Sequence, residues 1–211
     1  MTAVVVCNGM IEDYSYIKKY FDKADFVICA DGGATHLRKL GIVPDVLLGD
    51  FDSILKVDLD YYRESGVEVL KFPYKKDKTD TELAVELAAD RGFKDVILVG
   101  ALGKRQDHSL SNVFILKKML DRGIKGIIAD KHNEIMLVRD RIELKREINL
   151  KVTLLSLTEK TEGVNTDGLL YPLTDATLEL GSSWGVSNEF AGETAEISVK
   201  DGLLLVIKSI D

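Results

Sequence analysis

Residues 46–53 read Val-Leu-Leu-Gly-Asp-Phe-Asp-Ser, an apolar run that leads directly into two aspartates. The apolar part is typical of a buried strand, and Asp50 and Asp52 follow at its carboxyl end. Because residues i and i+2 of an extended segment point to the same side, both carboxylates are predicted to face one cavity, with Phe51 turned toward the core. Such neighbouring carboxylates favour a cation, and Mg²⁺ prefers oxygen ligands. The competing interpretation is a surface turn, in which Asp and Ser are common.

A second charged cluster precedes an apolar, helix-like pattern, and residues 75–82 read Lys-Lys-Asp-Lys-Thr-Asp-Thr-Glu. Thr79 and Glu82 have the spacing of a capping box, which predicts that a helix begins here. Asp77 and Asp80 would then lie at or near the helix N-terminus, where exposed backbone N–H groups and adjacent lysines suit a phosphate. Alternatively, the aspartates only complement the helix dipole, and the lysines form a solvated face.

A third cluster, residues 100–112, reads Gly-Ala-Leu-Gly-Lys-Arg-Gln-Asp-His-Ser-Leu-Ser-Asn and lies between a strand-like run and a predicted helix. A glycine-containing turn lets the backbone approach a phosphate closely, and Arg105 can bind phosphate oxygens through two parallel N–H groups. Asp107 could instead serve only as a helix N-cap. His108 could be a structural or exposed histidine.

A fourth turn, Ala-Asp-Gly-Gly-Ala at residues 30–34, also follows an apolar run and precedes a helical pattern. Four acidic or glycine-rich turns at successive strand ends are more than helix capping explains. In open α/β sheets, ligands bind beyond the carboxyl ends of the strands. The four turns are therefore predicted to meet at one edge of the sheet, where a bound metal ion and a phosphate group would compensate the repulsion between the charged side chains.

The organisation of the chain changes near residue 130. Before it, strand-like and helix-like runs alternate, which predicts a parallel sheet covered by helices. The predicted strands lie near residues 3–7, 25–30, 45–49, 67–72, 95–100 and 124–129, and the helices near 13–22, 34–40, 58–64, 79–91 and 108–121. After it, the runs 134–139, 150–157, 177–180, 195–199 and 203–208 are typical of strands. Residues 200–202, Lys-Asp-Gly, predict a tight hairpin between the last two strands.

The predicted fold class is therefore α/β, with an N-terminal Rossmann-like domain, residues 1–130, followed by an antiparallel β-sandwich or barrel, residues 131–211. The formal net charge of −7 argues against nonspecific binding to nucleic acid. No apolar run approaches the ~18 residues of a membrane helix, and the first residues lack the basic segment of a signal peptide. Cys7 and Cys29 lie in apolar runs, so we expect them to be buried and reduced, in a cytoplasmic protein.

The four motifs resemble those of the thiamine pyrophosphokinase family in order and spacing. Residues 168–173, Gly-Leu-Leu-Tyr-Pro-Leu, and 187–189, Ser-Asn-Glu, resemble the thiamine-site signatures of that family, so the resemblance covers nearly the whole chain. One departure is visible, because the family often has two glycines before the arginine where this chain has Gly103 and Lys104.

The resemblance implies that residues 1–130 bind ATP and that diphosphate passes from ATP to the hydroxyl group of thiamine, with Mg²⁺ as the cofactor. It implies Mg²⁺ ligands at Asp50, Asp52 and Asp80. The nucleotide would contact Asp31, Gly32, Gly33, Asp77, Thr79, Arg105 and His108. Arg105 would stabilise charge on the transferring group, and Asp107 would orient Arg105, bind ATP or assist removal of the hydroxyl proton.

The resemblance also implies that residues 131–211 bind thiamine. Tyr171 would offer an aromatic face to a ring of the acceptor, and Ser187 and Asn188 would bind its pyrimidine. Alternatively, Tyr171 packs in a β core and the other two residues form a turn. Trp184 could cover a loop, and the resemblance assigns it no role. The family further implies a homodimer whose active site is shared between the nucleotide domain of one subunit and the β domain of the other.

Two other functions fit parts of the pattern. A different alcohol, such as a hydroxymethylpterin, could accept the diphosphate on a similar N-terminal fold, although the C-terminal signatures argue against it. A noncatalytic nucleotide sensor is the other alternative, and the presence of every acidic motif position together with Arg105 argues against that.

Overall fold

The computed structural model describes residues 1–210 and divides into two compact units, Met1–Lys131 and a second unit that begins at His132. The first unit alternates strands and helices as its sequence predicts. Its strands are β1 (Thr2–Val6), β2 (Phe26–Ala30), β3 (Val46–Gly49), β4 (Glu68–Lys71), β5 (Asp95–Val99) and β6 (Lys125–Ala129). Its helices are α1 (Tyr14–Phe21), α2 (Ala34–Leu40), α3 (Lys56–Glu64), α4 (Asp80–Asp90) and α5 (Gln106–Asp121).

The strands of the first unit pair in parallel in the order β6-β5-β1-β2-β3-β4, which confirms the predicted parallel sheet. The apolar runs of β1, β2, β3 and β5 are almost wholly buried, as expected for strands covered on both faces, whereas those of the edge strand β4 are half-buried. The chain leads from β1 outward to β4 on one side and then to β5 on the other, so the strand order reverses between β1 and β5. A reversal of this kind opens a crevice at the carboxyl ends of the strands.

The helix starts follow the sequence in one case and depart from it in another. Thr79 caps α4 and accepts a hydrogen bond from the Glu82 N–H at 3.2 Å, as the capping-box spacing predicts. The N-cap interpretation of Asp107 is wrong, because Arg105 occupies the N-cap of α5 and Asp107 lies in its first turn. The Ser109 hydroxyl, rather than an aspartate, accepts the Gly103 N–H at 3.0 Å beside this helix start.

The second unit is made of antiparallel strands, as predicted. Across the part of this unit that the structure describes, the strands are β7 (Asn133–Val138), β8 (Arg141–Lys145), β9 (Lys151–Ser156), β10 (Lys160–Asp167), β11 (Ala176–Glu179), β12 (Asn188–Glu189), β13 (Thr194–Ser198) and β14 (Leu204–Ser209). They pair in the orders β12-β9-β14-β7 and β11-β10-β13-β8. The sequence patterns missed β8, β10 and β12, which are polar or short.

The predicted hairpin at residues 200–202 is wrong. Strand β13 pairs with β8 and β10, whereas β14 pairs with β7 and β9, so the turn joins two different sheets. Gly202 does adopt the positive φ of a tight turn, at 96°. Hydrogen bonds to residues outside the turn hold it in place. The Glu162 N–H donates to the Asp201 carbonyl at 2.9 Å, and the Leu203 N–H donates to the Thr158 hydroxyl at 3.1 Å.

The structure describes the helices and the two cysteines of the chain. Within residues 1–210, no helix is both long and apolar enough to cross a membrane. Cys7 and Cys29 are buried and free of disulfides, as predicted. Burial raises the pKa of the Cys7 thiol to about 11, although a hydrogen bond from Thr81 opposes the shift, so this thiol stays protonated near neutral pH.

Candidate functional site

A cavity of about 740 Å³ lies at the carboxyl ends of the parallel strands of the first unit. Its walls come from the segments that follow the five strands β1 to β5, and they include residues 7–10, 30–31, 50, 52–53, 74, 76, 78–81 and 100–105. Its volume falls in the range of about 300–1,000 Å³ that is usual for small-molecule sites. The cavity therefore occupies the crevice that the reversal of strand order predicts.

The segments after β1 and β5 are fastened to each other at the strand-order reversal. The Gly9 N–H donates to the Gly100 carbonyl at 2.7 Å, and the Met10 N–H donates to the Leu102 carbonyl at 2.9 Å. A Cβ atom at position 9 would lie 2.3 Å from the Gly100 oxygen, which no real Cβ tolerates. Gly9 is thus required for the close approach of the two segments.

Three aspartates form an acidic cluster in the cavity. Carboxylate oxygens of Asp31, Asp50 and Asp52 lie within 4.8 Å of one another. Mg²⁺ binds oxygens at about 2.0–2.1 Å, so its ligands lie no more than about 4.2 Å apart, and a small adjustment of these side chains would suffice. Asp31 is only 6% exposed, and its Oδ1 has no hydrogen-bond partner among the described residues. A buried, unpartnered carboxylate oxygen is costly, so the residues fit a cation.

The backbone that aims the two later aspartates is a turn, not an extended strand. Gly49 and Phe51 have positive φ angles of 147° and 67°, respectively. Asp50 and Asp52 both line the cavity while Phe51 packs against the apolar core, so the predicted side-chain directions are confirmed. The extended geometry used to predict them is wrong, because Phe51, between the two aspartates, has a left-handed backbone conformation.

The environment of the carboxylates concentrates negative charge in a partly buried space. Burial raises the pKa of Asp31 above its ordinary value, hydrogen bonds from Ser53 and Gly32 oppose the shift, and the charge of Asp80 adds to it. Burial likewise raises the pKa of Asp80, against the effect of Lys76. Lys76 Nζ forms an ion pair with Asp80 Oδ1 at 3.2 Å. Asp80 as a metal ligand stays a prediction.

Arg105 and Asp107 form a two-pronged ion pair at the start of α5. Arg105 Nη2 lies 2.6 Å from Asp107 Oδ2, and Nε lies 3.2 Å from Oδ1. Both side chains are largely exposed, at 70% and 64%. The hydrogen bonds from Arg105 lower the pKa of Asp107 to about 2, so this carboxylate is ionised throughout the neutral range. Of the roles predicted for Asp107, orientation of Arg105 agrees with these two hydrogen bonds. Arg105 and His108 both line the cavity.

Of the other residues predicted to contact the nucleotide, some line the cavity and others do not. Thr79 lines the cavity, although its hydroxyl already caps α4, and Asp77 is exposed nearby. Gly32 and Gly33 pack against β1, since a Cβ atom would lie 2.4 Å from the Asn8 side chain or 2.2 Å from the Val6 carbonyl oxygen. Packing alone therefore requires these two glycines, whether or not a nucleotide contacts them.

The predicted acceptor residues lie in the second unit. Tyr171 is 66% exposed, so its packing in a β core is excluded. The Asn188 side chain fixes the backbone of Tyr171, because it accepts the Tyr171 N–H at 3.1 Å and donates to the Tyr171 carbonyl at 2.8 Å. Ser187 has a positive φ of 60° and an exposed side chain, and its N–H donates to the Thr153 hydroxyl at 3.0 Å. Trp184 is also exposed, and the structure gives it no defined role.

Lys76 lines the cavity, although the sequence motifs assign it no individual role. It lies between Asp50 and Asp80, and only 14% of its side chain is exposed. The interpretation of this lysine as part of a solvated face is therefore wrong. A signal was present in the sequence, because Lys76 precedes Asp80 by four residues, but that spacing alone does not separate a surface pair from a buried one.

Comparison with known proteins assigns both halves of the chain to one family. Residues 17–128 match the model of the thiamin pyrophosphokinase catalytic domain, and residues 140–204 match that of the thiamin pyrophosphokinase vitamin B1 binding domain. The chain is 29% identical to thiamine pyrophosphokinase of Bacillus subtilis over 212 residues, which cover 100% of this chain and 99% of that protein. It is 25% identical to thiamine pyrophosphokinase 1 of Oryza sativa, over 97% of this chain and 86% of that one.

Solved structures agree with these matches. The crystal structure of thiamine pyrophosphokinase from B. subtilis superposes with a TM-score of 0.91 at 28% identity and full coverage of both chains. That of thiamin pyrophosphokinase from Geobacillus thermodenitrificans superposes with a TM-score of 0.87 at 27% identity, over 100% of this chain and 98% of that chain.

Proposed function

This chain belongs to the thiamin pyrophosphokinase family, and from that premise we propose that it transfers diphosphate from ATP to the hydroxyl group of thiamine. The hydroxyl oxygen attacks the β-phosphorus, the bond from that phosphorus to the oxygen bridging toward the α-phosphorus breaks, and AMP leaves. The hydroxyl proton is lost to a base or to solvent. One observation carries the proposal: five strand ends bring the acidic cluster and Arg105 to a single cavity at the strand-order reversal.

We include Mg²⁺ in the proposal, held by Asp31, Asp50 and Asp52, with Asp80 as a further candidate. The fit rests on the mutual distances of the three carboxylates and on the unpartnered Oδ1 of Asp31. When bound, the ion would neutralise charge on the polyphosphate, which is the main requirement of phosphoryl transfer. The family resemblance implies Asp80 in the place that Asp31 takes in this trio.

Arg105 is the residue that we propose to bind the transferring group. A guanidinium has five N–H donors, and two of the donor atoms of Arg105 already face Asp107. The remaining N–H groups are free to bind phosphate oxygens, while Asp107 keeps the planar group from rotating. Lys78 and Lys104 add positive charge to the cavity wall, which offsets the charge of the nucleotide in an acidic protein.

The second unit, as the β-sandwich domain of the predicted fold class, is proposed to bind thiamine. Its support is the match of residues 140–204 to a vitamin B1 binding domain, together with the exposed ring of Tyr171. Asn188 would act on the acceptor mainly through Tyr171, whose backbone it holds at both N–H and carbonyl. The Ser187 hydroxyl would hydrogen-bond the pyrimidine.

A homodimer with an active site shared between subunits completes the proposal. Exposed apolar side chains support self-association, and they include Leu110 and Phe114 on α5 and Leu170 and Trp184 in the second unit. A cytoplasmic location is also proposed, because two buried and unpaired cysteines suit a reducing compartment.

The proposal is tested by product analysis. Purified protein is incubated with MgATP and thiamine, and AMP and thiamine diphosphate are expected in equal amounts. Formation of ADP with thiamine monophosphate would exclude diphosphate transfer. The same incubation with a hydroxymethylpterin tests the alternative alcohol, and ATP binding without AMP formation would identify a nucleotide sensor.

A further inference from the structure

Lys76 makes three contacts at one end of the acidic cavity. Its Nζ lies 3.2 Å from Asp50 Oδ2 and 3.2 Å from Asp80 Oδ1, and it also donates to the Pro73 carbonyl at 3.2 Å. Asp50 begins the segment after β3, whereas Asp80 begins α4, so one ammonium group joins two separate walls. The contact with the Pro73 carbonyl ties the ammonium to the loop that precedes it.

The same ammonium contacts a carboxylate of the candidate cation site. Asp50 belongs to the cluster with Asp31 and Asp52, and its Oδ2 accepts from Lys76 while its Oδ1 accepts the Asp52 N–H at 3.2 Å. A divalent cation that binds Asp50 would therefore come close to a second positive charge in a partly buried space. Like charges at such distances repel, and burial strengthens the repulsion.

We propose that Lys76 is a built-in counter-cation, which balances Asp50 and Asp80 when no metal is bound and competes with the divalent cation for Asp50. Arrival of the metal with the nucleotide would free the ammonium to bind a phosphate oxygen, for which Lys76 is placed in the cavity wall. The metal would then bind weakly by itself and tightly as part of the nucleotide complex. This inference rests on the proposed metal site and adds a positioning role for a residue outside the aspartate motif.

Binding of Mn²⁺ in the absence of nucleotide, measured by electron paramagnetic resonance of the free ion, tests the competition directly. Lys76→Met should bind Mn²⁺ at least about tenfold more tightly than the unaltered protein, because a repelling charge is removed. Lys76→Arg, which keeps the charge, should bind it much as the unaltered protein does. Lys75→Met is the matched control, since Lys75 is the adjacent lysine, is exposed and is absent from the cavity wall.

A second measurement does not depend on metal affinity. Without metal at low ionic strength, Lys76→Met should melt at a lower temperature than Lys75→Met, and added Mn²⁺ should raise its melting temperature by more. If Lys76→Met does not fold without metal, Lys76→Gln takes its place. Unchanged or weaker Mn²⁺ binding by Lys76→Met or by Lys76→Gln in its place, or no Mn²⁺ binding by any of these proteins, would overturn the inference.

The outcome for Lys76 is separate from the outcome for the reaction. If the unaltered protein forms AMP and thiamine diphosphate while Lys76→Met binds Mn²⁺ no more tightly, the counter-cation role fails and the proposed function stands. If no diphosphate is transferred, the proposed function fails, and the Mn²⁺ and melting comparisons still decide whether Lys76 competes with a cation.

Discussion

His36 and Gly9 are joined by a hydrogen bond of 2.8 Å between the ring Nε2 and the main-chain carbonyl oxygen. Because a carbonyl oxygen can only accept, Nε2 carries the proton, and Nδ1 accepts from the Tyr14 hydroxyl, also at 2.8 Å. Gly9 lines the cavity, and its own N–H is bonded to Gly100. His36 therefore fixes the carboxyl end of β1 at the strand-order reversal, although it does not line the cavity itself.

The first prediction concerns this positioning role. His36→Ala should lower the free energy of unfolding by about 1–2 kcal/mol, because the Gly9 carbonyl loses its partner. It should also raise KM for ATP more than it lowers kcat. The change would alter the shape of the cavity wall near Gly9, where we propose that the nucleotide binds, and leave the aspartates and Arg105 in place. His36→Gln, whose amide can still donate, should restore much of both. Equal KM values for all three proteins would contradict the role.

The second prediction is a pH dependence of stability from the same ring. Burial lowers the pKa of His36 below its ordinary value of 6.5, the bond to Gly9 opposes the shift, and Lys39 adds to it. Below pH 6.5 the unfolded chain therefore binds a proton that the folded chain resists, so the free energy of unfolding should fall as pH decreases through that value. Urea unfolding between pH 7.5 and about 5.5 measures the slope. The slope should be smaller in His36→Gln, which carries no titrating ring.

The third prediction concerns the aspartate cluster. Asp31→Asn, Asp50→Asn and Asp52→Asn should each raise the activation free energy of the reaction by about 3–4 kcal/mol, by analogy with loss of a strong preorganised electrostatic contact. Turnover at saturating Mg²⁺ is the measurement, and the melting temperature shows whether the fold is kept. Asp60→Asn, on the surface of α3, is the control and should retain full activity. Near-normal turnover in Asp31→Asn would remove that residue from the proposed ligand set.

The fourth prediction separates shape from charge at Arg105. Arg105→Lys keeps the positive charge but loses the planar fork that pairs with Asp107 and leaves donors for phosphate. We expect a large fall in kcat and a much smaller change in KM for thiamine. Asp107→Asn should reproduce part of this effect, because its amide can accept only one of the two hydrogen bonds. Full turnover by Arg105→Lys would show that Arg105 acts only as a distant charge.

The sequence predicts most of the first unit because its signals are local. Strands β1, β2, β3 and β5 are almost entirely apolar runs, and Thr79 marks the start of α4 through its capping hydrogen bond. The second unit was harder to predict, since β10 is largely polar and β12 contains only two residues. Residues 200–202 have the local sequence of a hairpin turn. Strand β14 nevertheless pairs with β7 and β9, which lie far away in the chain, so the local sequence could not reveal that the turn joins two sheets.

The site residues likewise divide into those that local motifs predict and those that depend on contacts between distant segments. Asp50 and Asp52 follow β3 at once, and Arg105 lies in the connection between β5 and α5, so their placement at the cavity could be predicted from motif order alone. The grouping of Asp31 with the first two depends on the pairing of β2 with β3, which no local pattern encodes. The contacts of Lys76 and His36 depend on loops that meet only in the folded chain.

The last prediction tests the proposed shared site of a homodimer by complementation. Asp50→Asn would be inactive on the nucleotide side, and a Tyr171→Ala/Ser187→Ala double variant on the acceptor side. Both acceptor-side residues are exposed, so these changes should spare the fold, whereas Asn188 is buried and fixes the backbone of Tyr171. The two variants are unfolded together in equal amounts and refolded.

Random pairing would make half of the dimers mixed, and in a two-fold symmetric dimer each mixed pair carries one site with neither alteration. Roughly one quarter of all sites should therefore recover, by the same symmetry argument. Each variant refolded alone provides the background, and mass spectrometry of the intact dimers verifies that subunits have mixed. If mixed dimers form and no activity returns, each site is built within a single chain, because only then does every site retain one of the two alterations.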